Sequence, residues 1–528
     1  MQTELSNGNK GNTVVVLDFG SQVAKLIANE ARKAKIYSVI FPFNADLREI
    51  LEHDPVGIIL SGGPASVLDK KAPSVDLKIF RLGIPVLGIC YGHQLMAHLL
   101  GGYVEKGQSG EYGRREITTM DADRTPLEGF GPKTITWMSH GDQIVKLPPD
   151  FEVIAKSQTC PVVAMADKKR RLFGLQFHPE VEHTVDGDKV FRNFLINICR
   201  ARGDWTMASF KDDAIEKIRK QVGESEYVLG LVSGGVDSST MAVLMYEAIG
   251  NRFIALFVDN GLLRKNERAE VEKALLAAGV KLRVVDVSEK FLRWLRWMPF
   301  PEWKRKVIGR LFIKVAEKEA KKIAKEIGIR KIEYLAQGTL YPDVIESISE
   351  HGGPTHKIKS HHNVGALPKK MKMKLIEPFR GIFKDEVRLL AQELGIPKEI
   401  WARHPFPGPG EAIRCLGRVT KKRLTTLREA DVILIDVLHK HGLYYKIGQA
   451  FAVLPKDKSV GVMGDARTYE NFIIIRCVDT SVYMTADWTR LLHGILDEIS
   501  NRIVNEVKGI NRVVYDITSK PPGTIEWE

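Results

Sequence analysis

The chain has 528 residues, 44% hydrophobic and 27% charged, with a formal net charge of +13. That length leaves room for three or four domains, and no apolar run approaches the ~20 residues of a membrane span. The charge favours anionic partners, small polyanions as much as nucleic acid, and five cysteines (Cys90, Cys160, Cys199, Cys415, Cys477) without a C-x-x-C pair argue against a disulfide framework, a zinc ribbon or an iron–sulfur cluster.

Residues 1–12, "MQTELSNGNKGN", are polar and lack the features of a secretory signal, so they are read as a disordered tail on a cytoplasmic protein. From 13 to 202, apolar runs such as "TVVVLDFG", "VGIILSGGP", "IPVLGICYG" and "RLFGLQFHPE" end in glycine or turn residues. This is the pattern of central strands with loops at their carboxyl ends, an open doubly wound α/β sheet. A composition change at "CRARGDW" starts a second series, "YVLGLVSGG", "FIALFVDNG", "KLRVVDV" and "EYLAQGTL", which predicts a second such sheet over 203–400. Ligands of open α/β sheets sit outside the carboxyl ends of the strands, where both series place their small and polar residues.

Lysine and arginine concentrate in 293–331, interleaved with Trp294, Trp297, Phe300 and Trp303. Glutamates interrupt that run and apolar positions recur at helical spacing, so it reads as a solvated amphipathic segment near a phosphate site, with no nucleic-acid partner expected. A proline- and glycine-rich connector, "WARHPFPGPGEAIRC", opens a third, α+β unit over 401–528.

"GICYG" places Cys90 in a G-x-C-x-G between a predicted buried strand and a helical pattern. A lone cysteine after an apolar strand is ordinarily a small buried hydrophobe. Flanking glycines instead permit a strained strand-to-helix turn that exposes the side chain, and a helix N-terminus favours thiolate. In "LQFHPEVEHT", His178 and Glu180 lie two apart on an extended segment and are expected on one strand face, His178 as general base or acid and Glu180 as its orienter. "LSGGP" offers the N–H of Gly62 or Gly63 to an oxyanion, with Tyr91 following the thiol. In order and spacing, residues 13–202 resemble the class I glutamine amidotransferase family. The resemblance implies glutamine hydrolysis to glutamate and ammonia through a thioester on Cys90.

"VLGLVSGGVDSST" runs from a buried strand into a small-residue loop and a helix, but lacks the lysine of a Walker A loop. The stretch Ser233, Gly234, Gly235, Val236, Asp237, Ser238, Ser239 resembles the loop of the ATP pyrophosphatase family, which holds pyrophosphate with backbone N–H groups, hydroxyls and a helix N-terminus. That likeness implies adenylylation, with Asp237 as the Mg2+-linked carboxylate and Lys384 supplying a cation near the pyrophosphate. No zinc, iron–sulfur or flavin group is expected. Asp259 and Arg264, at the end of the next strand, suit nucleotide contacts.

"LYPDVIES", "KSHHNVG", "FPGPGEAIRCLG", "QAFAVLP", "GVMGDART" and "KPPGTIEWE" together closely resemble the glutamine-hydrolysing GMP synthetase family. The resemblance implies glutamine, ATP and xanthosine monophosphate (XMP) as substrates, with the XMP O2 attacking the α-phosphate of ATP and ammonia then displacing AMP. It assigns XMP contacts to Arg264, Asp343, Gln449, Lys520 and Glu526, and a homodimer formed through the last unit, for which the apolar "NFIIIRCV" offers a surface. Arg414 either meets phosphate or forms a core salt bridge. Two residues depart from the family pattern: Glu411, where an apolar residue is usual, and Ala366, where glycine is common. A tRNA-thiolating relative would need a sulfur-carrying cysteine near the loop, and residues 200–414 contain none.

Overall fold

A computed structural model describes residues 11–21, 23–341, 373–480, 483 and 485–528. The chain forms two compact units that divide at residue 210. Asp343 and Ala366 lie outside the described residues.

The first unit is built on a nine-stranded sheet: β1 (Thr13–Asp18), β2 (Tyr37–Pro42), β3 (Pro55–Leu60), β4 (Val86–Ile89), β5 (Tyr103–Thr119), β6 (Lys133–Lys146), β7 (Glu152–Lys156), β8 (Ala164–Asp167) and β9 (Leu172–Leu175), in the order β2-β1-β3-β4-β9-β8-β7-β5-β6. The first five in that order pair in parallel and the remainder antiparallel. β3 and β4 read "PVGIIL" and "VLGI", and their apolar residues other than Val56 are buried as a strand covered on both faces requires. The strand order reverses beside β1, which brings the loops after β1, β3, β4 and β9 to one edge, the usual place for a ligand.

The second unit holds two sheets. Strands β10 (Val228–Val232), β11 (Phe253–Asp259), β12 (Leu282–Asp286), β13 (Tyr334–Ala336) and β14 (Lys374–Ile376) are all parallel in the order β12-β11-β10-β13-β14, so the order reverses beside β10 and the serine loop leaves the sheet there. The other sheet comprises β15 (Gln449–Val453), β16 (Lys458–Met463), β17 (Ala466–Asp479), β18 (Asp487–Trp488) and β19 (Ile510–Tyr515), with β17 at its centre. One apolar cluster joins them, running from Leu229 and Leu256 through Leu311 and Val315 to Leu424, Ile475 and Ile503. Ala412 and Cys415 of the proline-rich connector belong to that cluster.

Two local expectations are corrected. "NFIIIRCV" is the middle of β17, and Ile473, Ile475, Cys477 and Val478 are buried inside the chain's own core, so it offers no docking surface. His178 and Glu180 follow β9 in a turn instead of lying on a strand, because the strand ends at Leu175. The basic segment folds as two helices, Ser288–Leu295 and Pro301–Glu326, and its four aromatics are exposed at their junction. Among the described residues no helix is long and apolar enough to cross a membrane.

Candidate functional site

β4 ends one residue before Cys90, and the helix Tyr91–Leu99 begins one residue after it. Cys90 turns the corner with φ 51° and ψ −103°, a conformation that costs a non-glycine residue roughly 1–3 kcal/mol. The turn closes tightly enough to explain both flanking glycines. A Cβ on Gly88 would lie 2.5 Å from the Gly92 carbonyl oxygen, and one on Gly92 would lie 2.4 Å from that of Leu60. Cys90 N–H donates to the Leu175 carbonyl at 2.7 Å, which ties the nucleophile to the strand that leads to its base.

His178 Nδ1 bonds Glu180 Oε1 at 2.7 Å, and the ring lies beside the Cys90 side chain. Both residues are almost fully buried. Burial disfavours the imidazolium, but the Glu180 carboxylate and the Cys90 sulfur outweigh it and hold His178 well above the ordinary imidazole range. Main-chain bonds lock the turn: His178 N–H donates to the Trp137 carbonyl, and Thr184 Oγ1 bridges the His178 carbonyl and the Trp137 N–H. Gly62 borders this group, since a Cβ there would lie 3.1 Å from His178 Cε1 and 3.8 Å from Cys90 Cβ. Gly63 packs on Phe19 and Tyr91. Tyr91 opens the helix, where its N–H has no intrahelical acceptor. The structure thus brings Cys90, His178, Glu180, Gly62 and Tyr91 together.

In the second unit, Gly234 takes φ +82° beside Val271, and Gly235 caps the helix Val236–Ile249. Ser238 Oγ accepts from Ser233 N–H at 3.1 Å and lies 3.0 Å from Ser233 Oγ, which draws the loop over the helix N-terminus. Asp237 lies in the first helical turn with Oδ2 3.6 Å from Lys384 Nζ, so the cation missing from the loop arrives from the start of the helix Lys384–Glu393. Among the described residues, Asp237 Oδ1 and Ser239 Oγ are buried without a hydrogen-bond partner. An orphaned carboxylate oxygen beside a phosphate-type loop fits Mg2+, which keeps most of its shell from water and phosphate oxygens. Phe257, Phe312 and Phe406 line a cleft next to Ser233 and Gly235, with Asn260 at its side.

The residues expected at XMP separate into groups. Gln449 Nε2 donates to Glu526 Oε1 at 2.9 Å, and Arg414 grips both Glu526 oxygens at 3.2 and 2.9 Å, so Arg414 forms a buried salt bridge. Phe406 connects this group to Arg264, lying 5.1 Å from the Arg414 guanidinium and 4.9 Å from that of Arg264. Arg264 Nε is 3.7 Å from Asp431, while Nε and Nη2 have no hydrogen-bond partner among the described residues. Lys520 Nζ donates instead to the Tyr483 carbonyl. Glu411 is fully buried 4.0 Å from Arg414, with neither oxygen hydrogen-bonded among the described residues, and burial together with Asp431 pushes its carboxyl up to about 8. Its hydrophilic character gave no sign of this position.

A strained thiol paired with an imidazole and a carboxylate, on a chain that also carries a pyrophosphatase-type loop on a second parallel sheet, defines an amidotransferase joined to an ATP-using synthetase. Residues 15–198 match the family model "Glutamine amidotransferase class-I", residues 208–295 match "NAD synthase", and residues 436–527 match "GMP synthase C terminal domain". The glutamine-hydrolyzing GMP synthase of Nitrobacter hamburgensis is 54% identical over 98% of this chain and 96% of its own length, and that of Aquifex aeolicus is 51% identical over 98% and 99%. The chain belongs to the family of glutamine-hydrolysing GMP synthases.

Proposed function

We propose that this chain makes GMP from XMP, ATP and glutamine, as a carbon–nitrogen ligase of purine biosynthesis. The observation that carries this reading is the coexistence of the Cys90–His178–Glu180 group and the Ser233–Ser239 loop on a chain matched over nearly its whole length to GMP synthases.

In the first unit Cys90 attacks the glutamine amide carbon, and the tetrahedral oxyanion meets the N–H groups of Tyr91 and of Gly62 or Gly63. His178 passes a proton to the leaving nitrogen, which departs as ammonia, and then takes a proton from the water that cleaves the thioester to glutamate. Glu180 holds the ring in the orientation both steps need.

In the second unit the XMP O2 attacks the α-phosphorus of ATP, and pyrophosphate leaves onto the N–H groups of Gly234, Gly235 and Val236 and the hydroxyls of Ser233, Ser238 and Ser239. Lys384 balances its charge. Asp237 would hold Mg2+, which when bound supplies charge neutralisation on the phosphates. Ammonia adds at C2 of the adenylylated base and AMP leaves, giving GMP. Arg264, Gln449 and Glu526 line the nucleotide side, and we assign Asp343 and Lys520 there by likeness to the family.

Residues 13–202, 203–400 and 401–528 correspond in this reading to amidotransferase, pyrophosphatase and dimerisation domains. We place the dimer contact on the exposed Val460, Val462 and Tyr469 of the β16–β17 hairpin instead of the buried centre of β17. Five free, buried thiols suit a reducing cytoplasm.

Nucleotide chromatography after incubation with ATP, Mg2+ and ammonium salt tests the acceptor. AMP, pyrophosphate and GMP are expected with XMP alone. ADP as product, or turnover with IMP, UTP or deamido-NAD, would overturn the assignment of the second unit.

A further inference from the structure

β6 passes the thiol as "SHGD", residues 139–142, and this short run touches Cys90, the helix it opens and the loop after β3. The Ser139 carbonyl lies 3.6 Å from Cys90 Sγ. The Asp142 carbonyl accepts from Gln94 Nε2 at 2.8 Å, one turn into the helix that Cys90 opens, and the Asp142 carboxylate accepts from Ser66 Oγ in the loop that carries Gly62 and Gly63.

Strand pairing is irregular along this run. The β5–β6 register breaks between Lys106 and Glu111 and resumes with Glu111 opposite His140. At that point the His140 ring is buried, with Nδ1 3.0 Å from the Asp142 carbonyl and Nε2 3.1 Å from Glu111 Oε2. The ring therefore bridges the Asp142 carbonyl and the Glu111 carboxylate. Ser157 Oγ and Thr159 Oγ1 complete the Glu111 carboxylate. Burial favours the neutral acid, but the bonds from His140, Thr159 and Ser157 prevail and hold Glu111 down to about 2.

Ligand-type atoms of Glu111, His140 and Cys160 lie within 4.8 Å of one another, a spacing that a metal ion would also accept. Both His140 nitrogens and both Glu111 oxygens already have protein partners, so the group is a closed hydrogen-bonded network.

We propose that His140 and Glu111 are positioning residues for glutamine hydrolysis: their buried hydrogen-bonded pair locks residues 139–142 at the distance from Cys90, Gln94 and the Gly62–Gly63 loop that a bound glutamine needs. The proposal rests on the reading of Cys90 as the glutaminase nucleophile. A buried polar network whose members are all partnered is a good source of fixed geometry.

Glu111→Gln and His140→Asn in the full chain test it, with Glu111→Asp and His140→Gln as milder variants that keep the charge or one N–H. Glutamine kcat/KM is expected to fall roughly 10–100-fold, mainly through KM, the size of a misplacement near 1 Å. Ammonium-supported GMP formation stays within about twofold of the unsubstituted enzyme. Alkylation of Cys90 discriminates positioning from simple destabilisation. The glutamine-shaped diazoketone 6-diazo-5-oxo-norleucine should react more slowly yet reach the same final occupancy, while iodoacetamide, which needs no pocket, should react at the unsubstituted rate. Equal slowing with both reagents, a reduced labelled fraction, or unchanged kcat/KM would overturn the proposal. If the unsubstituted enzyme itself fails to hydrolyse glutamine, the reading of Cys90 is what falls.

Discussion

The cysteine site of residues 11–210 and the serine loop of residues 211–528 share one construction, a parallel strand feeding a helix through a glycine-bearing turn, but differ in what the chain supplies. Around Cys90 the partners are protein groups: His178 answers the sulfur, Glu180 answers His178, and main-chain bonds hold the turn. Around Ser233–Ser239 polar atoms remain unanswered among the described residues, with Asp237 Oδ1 and Ser239 Oγ buried and unpaired and Lys384 3.6 Å from Asp237. Buried polar groups without partners are costly, and such groups persist where a ligand completes them. A reactive thiol must be tuned before substrate arrives, whereas a phosphate cradle is completed by the phosphate and its cation.

Cys90→Ala breaks the comparison most severely. Glutamine-dependent GMP formation should drop roughly 10⁴-fold or more, as when a nucleophile is removed from a catalytic group acting as a unit. Ammonium-dependent formation should stay within about twofold, because each site is complete in its own unit. Parallel loss of both activities in a folded variant would show that the sites do not work separately. Asp237→Asn should behave oppositely, lowering GMP formation from both nitrogen sources roughly 10–100-fold, the size seen when support for a bound metal is lost. The loss should shrink as Mg2+ is raised, and full activity at low Mg2+ would move the metal to another carboxylate.

The difference also explains what could be read in advance. Strand runs ending in G-x-C-x-G and S-G-G-V-D-S-S announced both loops because the chemistry sits within a few residues of a strand end. The pairing of Glu111 with His140 did not announce itself, since a β5–β6 hairpin brings together residues 29 apart and nothing local marks either as buried. Likewise "NFIIIRCV" has the composition of a surface for docking as much as of a central strand, and only its pairing with β15, β16 and β19 decides the matter. Trp294, Trp297, Phe300 and Trp303 were legible only in part, for helical spacing marked a solvated amphipathic segment, while their exposure together at the corner of Pro299 and Pro301 comes from the fold.

Glu180→Gln sharpens the comparison from the thiol side. Removing the carboxylate leaves burial and the sulfur to govern His178, so the imidazole should lose its proton at lower pH than in the unsubstituted protein. The rate of Cys90 alkylation against pH should show its basic feature displaced downward, and glutamine turnover at neutral pH should fall roughly 10²-fold. Ammonium-dependent synthesis should not respond. An unmoved pH profile would mean that Glu180 only anchors the turn.

Glu411 gives the smallest effect and carries the comparison into the second unit, where an unanswered group need not belong to a ligand. Its carboxyl is fully buried, has no hydrogen bond, and is raised to about 8 by burial and by Asp431, against the partial help of Arg414. A carboxyl raised on folding contributes its stability below its unfolded value and forfeits it as pH climbs through the folded one. Unsubstituted protein should therefore lose stability between about pH 5 and pH 8 through this group. Glu411→Leu removes the buried carboxyl while Arg414 keeps both bonds to Glu526, so the variant should gain roughly 1–3 kcal/mol near pH 8 and little near pH 5. Urea unfolding at the two pH values measures the difference. A gain that did not grow with pH would show that Glu411 is answered inside the fold, by water or by Arg414, and that only the loop atoms around Asp237 await a ligand.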